Sequence, residues 1–274
     1  MKLVIKLGGE LLTSAQEQQI QNIIADVCEL QKEGYQVIFV HGGGPQTTAL
    51  QKSLGQEPNI VGGRRITDYE TLQAIKMAVG GDANLELCRH LLAHGLTAFA
   101  LNGASGAMIR ATRRPPRVVS GCGAEPIDFG LVGDVTGVND EVLQLLTTNN
   151  FVPVIACIGA DANGELYNIN ADIVANAVAI AVEAAHLVLV TGAPGVLRDR
   201  YDFSTRIPKL SIKEGQDAIK EGFIADGMIP KMEESFRALQ QGVENIHVVG
   251  QLKAGDLVEA IKLTHKIGTT LVRD

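Results

Sequence analysis

Tryptophan is absent from this 274-residue sequence, and aromatic residues make up only 4% of it. Single-stranded nucleic acids are gripped largely by stacking bases on aromatic side chains, so that platform is missing. Positive charge is not in excess either. Lys and Arg number 24 against 31 Asp and Glu, a net charge of -7, which argues against a phosphate backbone as partner. No apolar run approaches the roughly 20 residues of a membrane-spanning helix, so no membrane partner is expected. The four cysteines, Cys28, Cys88, Cys122 and Cys157, lack the close spacing of a zinc site or a disulfide framework. The opening residues, Met1 to Lys6, read as a strand running straight into Gly8-Gly9. That is too short and too early for a signal peptide, so cytoplasmic residence is the expectation.

Strand-like and helix-like segments alternate almost throughout. An apolar run covers 2–7. Ser14-Ala15-Gln16-Glu17 has the form of a capping box, with Ser14 as N-cap. The helix it opens carries Ile20, Ile23, Ile24, Val27 and Leu30 at helical spacing and stops at Gly34. Val37 to Val40 is a buried strand that ends in His41-Gly42-Gly43-Gly44. Helices are expected at 45–54, 68–79 and 83–94, and a strand at 96–101. After residue 140 the spacing predicts helix 141–147, strand 151–155, helix 171–184, strand 186–190, a loop at 191–209, helices at 211–222 and 228–241, strand 245–249, a helix near 254–262 and a last strand near 269–272. Such alternation implies an α/β fold with a mainly parallel sheet covered by helices on both faces. Residues 107–138, rich in proline and glycine, break the pattern and read as hairpins projecting from the sheet. No linker is apparent. The chain reads as one domain with a functional division near residue 180.

Three glycine-rich turns follow strands: Lys6-Leu7-Gly8-Gly9, His41-Gly42-Gly43-Gly44 and Thr191-Gly192-Ala193-Pro194-Gly195. Ligands of open parallel sheets bind beyond the carboxyl ends of the strands. Glycine there lets backbone N–H groups approach a phosphate, although any one such turn is more often a simple strand terminator. None has the Walker A spacing or the GxGxxG fingerprint. Lys6 ends an apolar strand and either escapes to solvent or points into the crevice. Lys231 stands at the start of a helix, where the macrodipole disfavours a cation, so an anionic ligand would account for it. Asp172 follows Asn168-Ile169-Asn170-Ala171, and as a first-turn acid after the N-cap Asn170 it could be purely structural. Arg65, after Gly62-Gly63-Arg64, could fork onto a carboxylate or be one more surface arginine. Arg110, Arg113, Arg114 and Arg117 read as a solvated hairpin or a dock for an acidic partner. His41 reads as a structural strand-end histidine rather than a base.

Taken in order, these motifs resemble the amino-acid kinase family over essentially the whole chain, and within it the acetylglutamate branch. The segments that carry the resemblance are Val4 to Gly9, His41 to Gly44, Gly63-Arg64-Arg65-Ile66-Thr67-Asp68, Gly130 to Asn139, Asn168-Ile169-Asn170-Ala171-Asp172 and Gly227-Met228-Ile229-Pro230-Lys231. Departures are Arg64 where the family often has leucine, Gly192 where it often has an aspartate, and Asn102 to Gly106 in place of a Ser-Gly-x-Asp-Gly turn. The resemblance implies a three-layer αβα sandwich with an open, mainly parallel central sheet. It implies an amino-acid substrate lobe over 1–180 and an ATP lobe over 181–274. The implied activity is ATP-dependent phosphorylation of the side-chain carboxylate of N-acetyl-L-glutamate, with Mg²⁺, in arginine biosynthesis. Lys6 and Lys231 would stabilise charge on the transferring phosphoryl group, and Asp172 would orient them. Gly8, Gly9, Gly43 and Gly44 would offer backbone donors, with Gly8 and Gly9 on the nucleotide side and Gly43 and Gly44 on the substrate side. Arg65 would hold the α-carboxylate and Asn168 the amino-acid portion. Thr191, Gly192 and Gly195 would line the nucleotide turn.

Two other readings compete. One is an aminoadipate kinase acting on a carrier-protein-linked substrate in lysine biosynthesis, which would give the arginine cluster a purpose. The other is a non-catalytic effector sensor, against which Lys6, Asp172 and Lys231 all stand. The resemblance also implies a homodimer built through the region 68–94. With the first strand starting at residue 2, the hexamer-linking N-terminal helix of arginine-inhibited relatives is not expected, nor is inhibition by arginine.

Overall fold

The computed structural model describes residues 1–119, 123–225 and 227–274. Cys122, named above, lies outside the described residues, as does Asp226. The chain runs β1 (Lys2–Leu7), α1 (Glu17–Lys32), β2 (Gln36–His41), α2 (Gly44–Ser53), β3 (Ile60–Val61), β4 (Arg64–Arg65), α3 (Tyr69–Met77), α4 (Asn84–Ala93), β5 (Ala98–Asn102), β6 (Ile109–Arg113), β7 (Gly133–Val138), α5 (Asp140–Thr148), β8 (Val152–Ala156), β9 (Ile158–Ala160) and β10 (Leu166–Asn168). It continues with α6 (Ala171–Ala181), β11 (His186–Thr191), β12 (Lys209–Ser211), α7 (Ile212–Lys220), α8 (Met228–Gln240), β13 (Asn245–Gly250), α9 (Asp256–Ile261) and β14 (Thr269–Val272).

Eight strands form the central sheet in the order β12-β14-β13-β11-β1-β2-β8-β5. All neighbours are parallel except β13 and β14. The first strand therefore sits in the middle. Strands formed before residue 180 lie on one side of it and those formed after lie on the other. Side chains alternate across a strand, and here both faces are apolar. Leu3, Ile5 and Leu7 join Ile20, Ile24, Val27, Leu87 and Leu257 in one core. Val4 joins Val174, Val178, Leu143 and Phe236 in the other. Helices thus cover both faces, giving the three-layer αβα arrangement. Among the described residues, no helix is long and apolar enough to cross a membrane.

Several local expectations are corrected. The capping box at Ser14 does not form: Ser14–Gln16 is a short 3-10 turn with no side-chain cap, and α1 starts at Glu17. The hydroxyl of Thr13 instead closes the preceding turn by donating to the Glu10 carbonyl at 2.9 Å. A capping box does form at Ser211 and Glu214, at the head of α7. Helices α3 and α4 are joined by a π-helical stretch, Ala78–Ala83, rather than by a break. The region 107–138 is not a free pair of hairpins. β6 and β7 pair with each other, and β9 and β10, which were not expected, extend them into a second, four-stranded sheet. The 191–209 loop ends in the edge strand β12, also unanticipated. Three of the four clustered arginines form ion pairs, but Arg113 and Arg117 stay exposed as a solvated hairpin would have them, and only Arg114 departs from that expectation by being buried. Arg113 meets Asp128 at 2.8 Å, Arg117 meets Asp134 at 2.7 Å, and Arg114, only 7% exposed, meets the same Asp134 at 2.8 Å.

Candidate functional site

The parallel register brings the three glycine turns side by side. Leu7 is opposite His41 in β2 and opposite Val190 in β11, so the turns after β1, β2 and β11 emerge together at the carboxyl edge of the sheet. The first two are in backbone contact. A Cβ on Gly9 would come within 2.7 Å of Gly43 Cα and 2.9 Å of Gly44 N, so only glycine lets these loops meet. Gln46, in the first turn of α2, clamps them by donating to the carbonyls of Gly9 and Leu12, both at 2.8 Å. In the third turn Gly192 faces open space, whereas the Cβ position of Gly195 is filled by Thr269 and Arg206. Thr191 donates within the turn, to the Ala193 carbonyl at 3.0 Å.

Lys6 is brought inward by the strand period. It shares the face of Val4, which is the face covered by α6. Asn170 caps α6 by accepting from the backbone N–H of Asp172 at 2.7 Å, and this sets Asp172 in the first turn above β1. The result is a three-group cluster. Lys6 Nζ lies 3.0 Å from Asp172 Oδ1, and Lys231 Nζ, from the first turns of α8, lies 2.7 Å from the same oxygen. The three side chains are 9%, 19% and 12% exposed in the order Lys6, Asp172, Lys231. Burial alone would raise the Asp172 carboxyl, but Lys6 and Lys231 together hold it below its ordinary 3.8. Burial, with Lys6 adding repulsion, pulls Lys231 below its ordinary 10.5, and Asp172 opposes that fall. Two ammonium groups on one carboxylate form a net cationic spot that an incoming phosphoryl group would neutralise. Buried Cys157 lies within electrostatic reach of Lys6 and Asp172, but burial pushes its thiol up to about 11, so it is unreactive at neutral pH.

On the other side of the turns, Gly62 and Gly63, with φ of 55° and 73°, make the tight two-residue turn between β3 and β4. That hairpin aims Arg65 at α2. Its guanidinium donates to Gln51 Oε1 at 2.5 Å, Thr48 Oγ1 at 2.7 Å and the Gly44 carbonyl at 3.1 Å. Burial draws Arg65 below the usual guanidinium range, and a guanidinium stays cationic in proteins. Of its five N–H groups, the one on Nε and one on Nη1 remain for a ligand. Asn168, at the end of β10, donates from Nδ2 to Thr67 Oγ1 at 3.1 Å. His41 is structural. It is fully buried between the Gly42 carbonyl and Asn84, and desolvation lowers it to about 4. Sequence reasoning missed Thr48, Gln51 and Thr67. The first two had a signal: Gly44, Thr48 and Gln51 recur at i, i+4 and i+7, one face of a helix, and all three accept from Arg65.

A model described as the amino acid kinase family matches residues 1–250. The chain is 49% identical to an acetylglutamate kinase of Sorangium cellulosum (strain So ce56) over 98% of its length and 94% of that protein's. It is 48% identical to an acetylglutamate kinase of Anaeromyxobacter sp. (strain Fw109-5) over 98% of both. Among solved structures, the N-acetylglutamate synthase of Neisseria gonorrhoeae complexed with coenzyme A and N-acetyl-glutamate superposes with a TM-score of 0.81 at 20% identity, over 100% of this chain and 59% of that one. Giardia carbamate kinase gives 0.69 at 15% identity, over 100% and 99%. These distant matches support the fold alone. With a family model spanning most of its length and nearly half-identical relatives aligned end to end, the chain belongs to the amino acid kinase family.

Proposed function

We propose that this chain transfers the γ-phosphoryl group of ATP to the side-chain carboxylate of N-acetyl-L-glutamate, producing the acyl phosphate for arginine biosynthesis. The observation that carries the reading is the pairing of Lys6 and Lys231 on one oxygen of Asp172 beside the glycine turns, in a chain whose full-length relatives are acetylglutamate kinases. Those relatives do not favour a carrier-linked aminoadipate substrate or a non-catalytic sensor.

The chemistry suits the groups present. A carboxylate nucleophile, with a free pKa of roughly 4, is ionised at neutral pH and needs no general base. Phosphoryl transfer needs in-line positioning and positive charge around the equatorial oxygens. In this reading Lys6 and Lys231 supply the charge, and Asp172 holds both ammonium groups in place between turnovers. Backbone N–H groups at Gly8, Gly9, Gly43 and Gly44 would contact the phosphoryl oxygens and the acceptor carboxylate. Arg65 would hold the substrate α-carboxylate through its charge and a spare N–H donor on Nε or Nη1, and Asn168 would hold the rest of the substrate. Residues 1–180 would form the substrate lobe and 181–274 the ATP lobe, with Thr191, Gly192 and Gly195 in the nucleotide turn. The position of β1, between the strands of the two segments, supports that division. Mg²⁺ is the expected companion of ATP. Among the described residues no group of three or more His, Cys, Asp or Glu could hold a metal ion, so this donor set suits an ion carried on the nucleotide's own phosphates. A homodimer in the cytoplasm completes the reading. Exposed Tyr69, Met77, Leu85 and Leu92 on α3 and α4 support a dimer face there.

The test is ADP release with free N-acetylglutamate, with trapping of the acyl phosphate by hydroxylamine. Turnover that needs ATP and N-acetylglutamate together supports the reading. Turnover only with carrier-linked aminoadipate, or none with either substrate, overturns it.

A further inference from the structure

Arg65 and Asn168 reach the substrate side of the site from elements far apart in sequence, and one buried hydroxyl lies between them. Thr67 is 0% exposed. Its Oγ1 donates to the Arg65 carbonyl at 3.3 Å and accepts from Asn168 Nδ2 at 3.1 Å. A hydroxyl has one proton to give, so both directions are fixed by these partners. The Asn168 side chain makes no other hydrogen bond among the described residues, and its amide orientation therefore depends on this acceptor. The Thr67 backbone is fixed as well. Its N–H donates to the Phe129 carbonyl at 2.9 Å, and its carbonyl accepts from the Leu131 N–H at 2.6 Å. Gly130 lies between those two residues in a bridge to Thr67, with φ of 70°, and any Cβ there would strike the Thr67 carbonyl. The Asn168 N–H in turn donates to the Leu131 carbonyl at 2.9 Å. Thr67 is thus held by the β6–β7 connection and aims its one free group at the amide.

We infer that Thr67 is a positioning residue for the amino-acid substrate: its hydroxyl fixes the Asn168 amide in the orientation that presents Oδ1 and the second Nδ2 proton to the ligand, in register with Arg65. This rests on the acetylglutamate reading given above. The hydroxyl, not the shape of the side chain, carries the role. Thr67→Val keeps the shape and removes the acceptor, whereas Thr67→Ser keeps the acceptor and removes a methyl group.

The experiment measures steady-state kinetics of the full chain and its variants with free N-acetylglutamate and ATP, after confirming that the unmodified enzyme turns over. If the unmodified enzyme is inactive, the functional reading has failed on its own account. With an active enzyme, Thr67→Val is expected to raise KM for N-acetylglutamate about tenfold, the effect of about one lost hydrogen bond. KM for ATP should stay within twofold and kcat within threefold. Thr67→Ser should keep KM for N-acetylglutamate within threefold. In an Asn168→Ala background, Thr67→Val should add less than twofold, because the group it orients is gone. Unchanged substrate KM in Thr67→Val, an equal rise in both KM values, or a full tenfold addition in the Asn168→Ala background would overturn the proposal. If Thr67→Val does not fold, the serine variant decides alone: a tenfold KM rise there refutes it.

Discussion

Replacing Asp172 with Asn removes one negative charge from a cluster of three groups and changes almost no volume. Lys6 and Lys231 then face each other with no anion between them. The two pairs, 3.0 and 2.7 Å long and largely shielded from water, fall in the class where deleting one partner costs about 3 kcal/mol or more. For a chain of this size that corresponds to a fall in Tm of about 5 °C. Turnover should fall further than stability implies, by roughly 100- to 1000-fold in kcat, because the ammonium groups are no longer held where the phosphoryl charge develops. The pH profile provides an independent readout. Burial and Lys6 pull the Lys231 ammonium down, and Asp172 is the group that holds it up. Without it, Lys231 loses its proton at lower pH, so the alkaline limb of kcat moves to lower pH. The acid side follows from Asp172 itself. Its carboxyl is held below 3.8 when folded, so the stability from this cluster is present above that value and lost as pH falls through the folded one. The variant lacks that loss. The assay is ADP release at saturating substrates from pH 6 to 10, alongside thermal melts. An Asp172→Asn enzyme with kcat within threefold, an unmoved alkaline limb and a destabilisation of no more than about 1 kcal/mol would mean that Asp172 is only a first-turn helix acid.

Three further outcomes are expected. Lys231→Ala should lower kcat at least 100-fold while leaving KM for N-acetylglutamate within about threefold, since its charge is needed in the transition state; near-normal turnover would remove Lys231 from the machinery. Gly9→Ala should force apart the two loops that meet at Gly43 and Gly44, costing about 1–3 kcal/mol and most of the activity, as melts and initial rates would reveal. Acid should destabilise the fold through its buried histidines. His41 and His247 are lowered from 6.5 to about 4 and about 3, so the unfolded chain binds protons that the folded one refuses. Stability then falls as pH drops below 6.5, by about 3 kcal/mol at His41 alone, and urea titrations of His41→Asn should display a shallower slope between pH 6.5 and 4.

The features legible in the sequence were those with a local signature. A lysine before Gly8-Gly9, a lysine at a helix start and an acid behind an N-cap could each be noticed within a few residues, and the parallel alternation implied that their strand ends share one edge. Neutral polar residues carried a fainter mark, the shared helix face of Thr48 and Gln51, or in the case of Thr67 none. Thr67 and Gln51 look like ordinary loop and helix residues until the tertiary fold buries them. β9 and β10 are three residues each, too short for any period to register. Within the arginine cluster, the burial of Arg114 left no trace because its partner, Asp134, stands 20 residues away. The capping box at Ser14 failed because the short turn ahead of α1 displaced the helix start by two residues.

The central position of β1 has a consequence for the order in which the molecule can assemble. Synthesis delivers β1, β2, β5 and β8 by residue 156, and these four can pair at once. One edge of β1 then presents unpaired backbone until β11 follows at residues 186–191, and such an edge is a template for wrong pairing. Asp172 is made before β11, while Lys231 comes about 60 residues later. A nascent chain can thus hold its carboxylate against Lys6 long before the second ammonium arrives. The cluster closes only when α8 docks, so on the proposed function an unfinished chain would lack the complete centre with which to waste ATP.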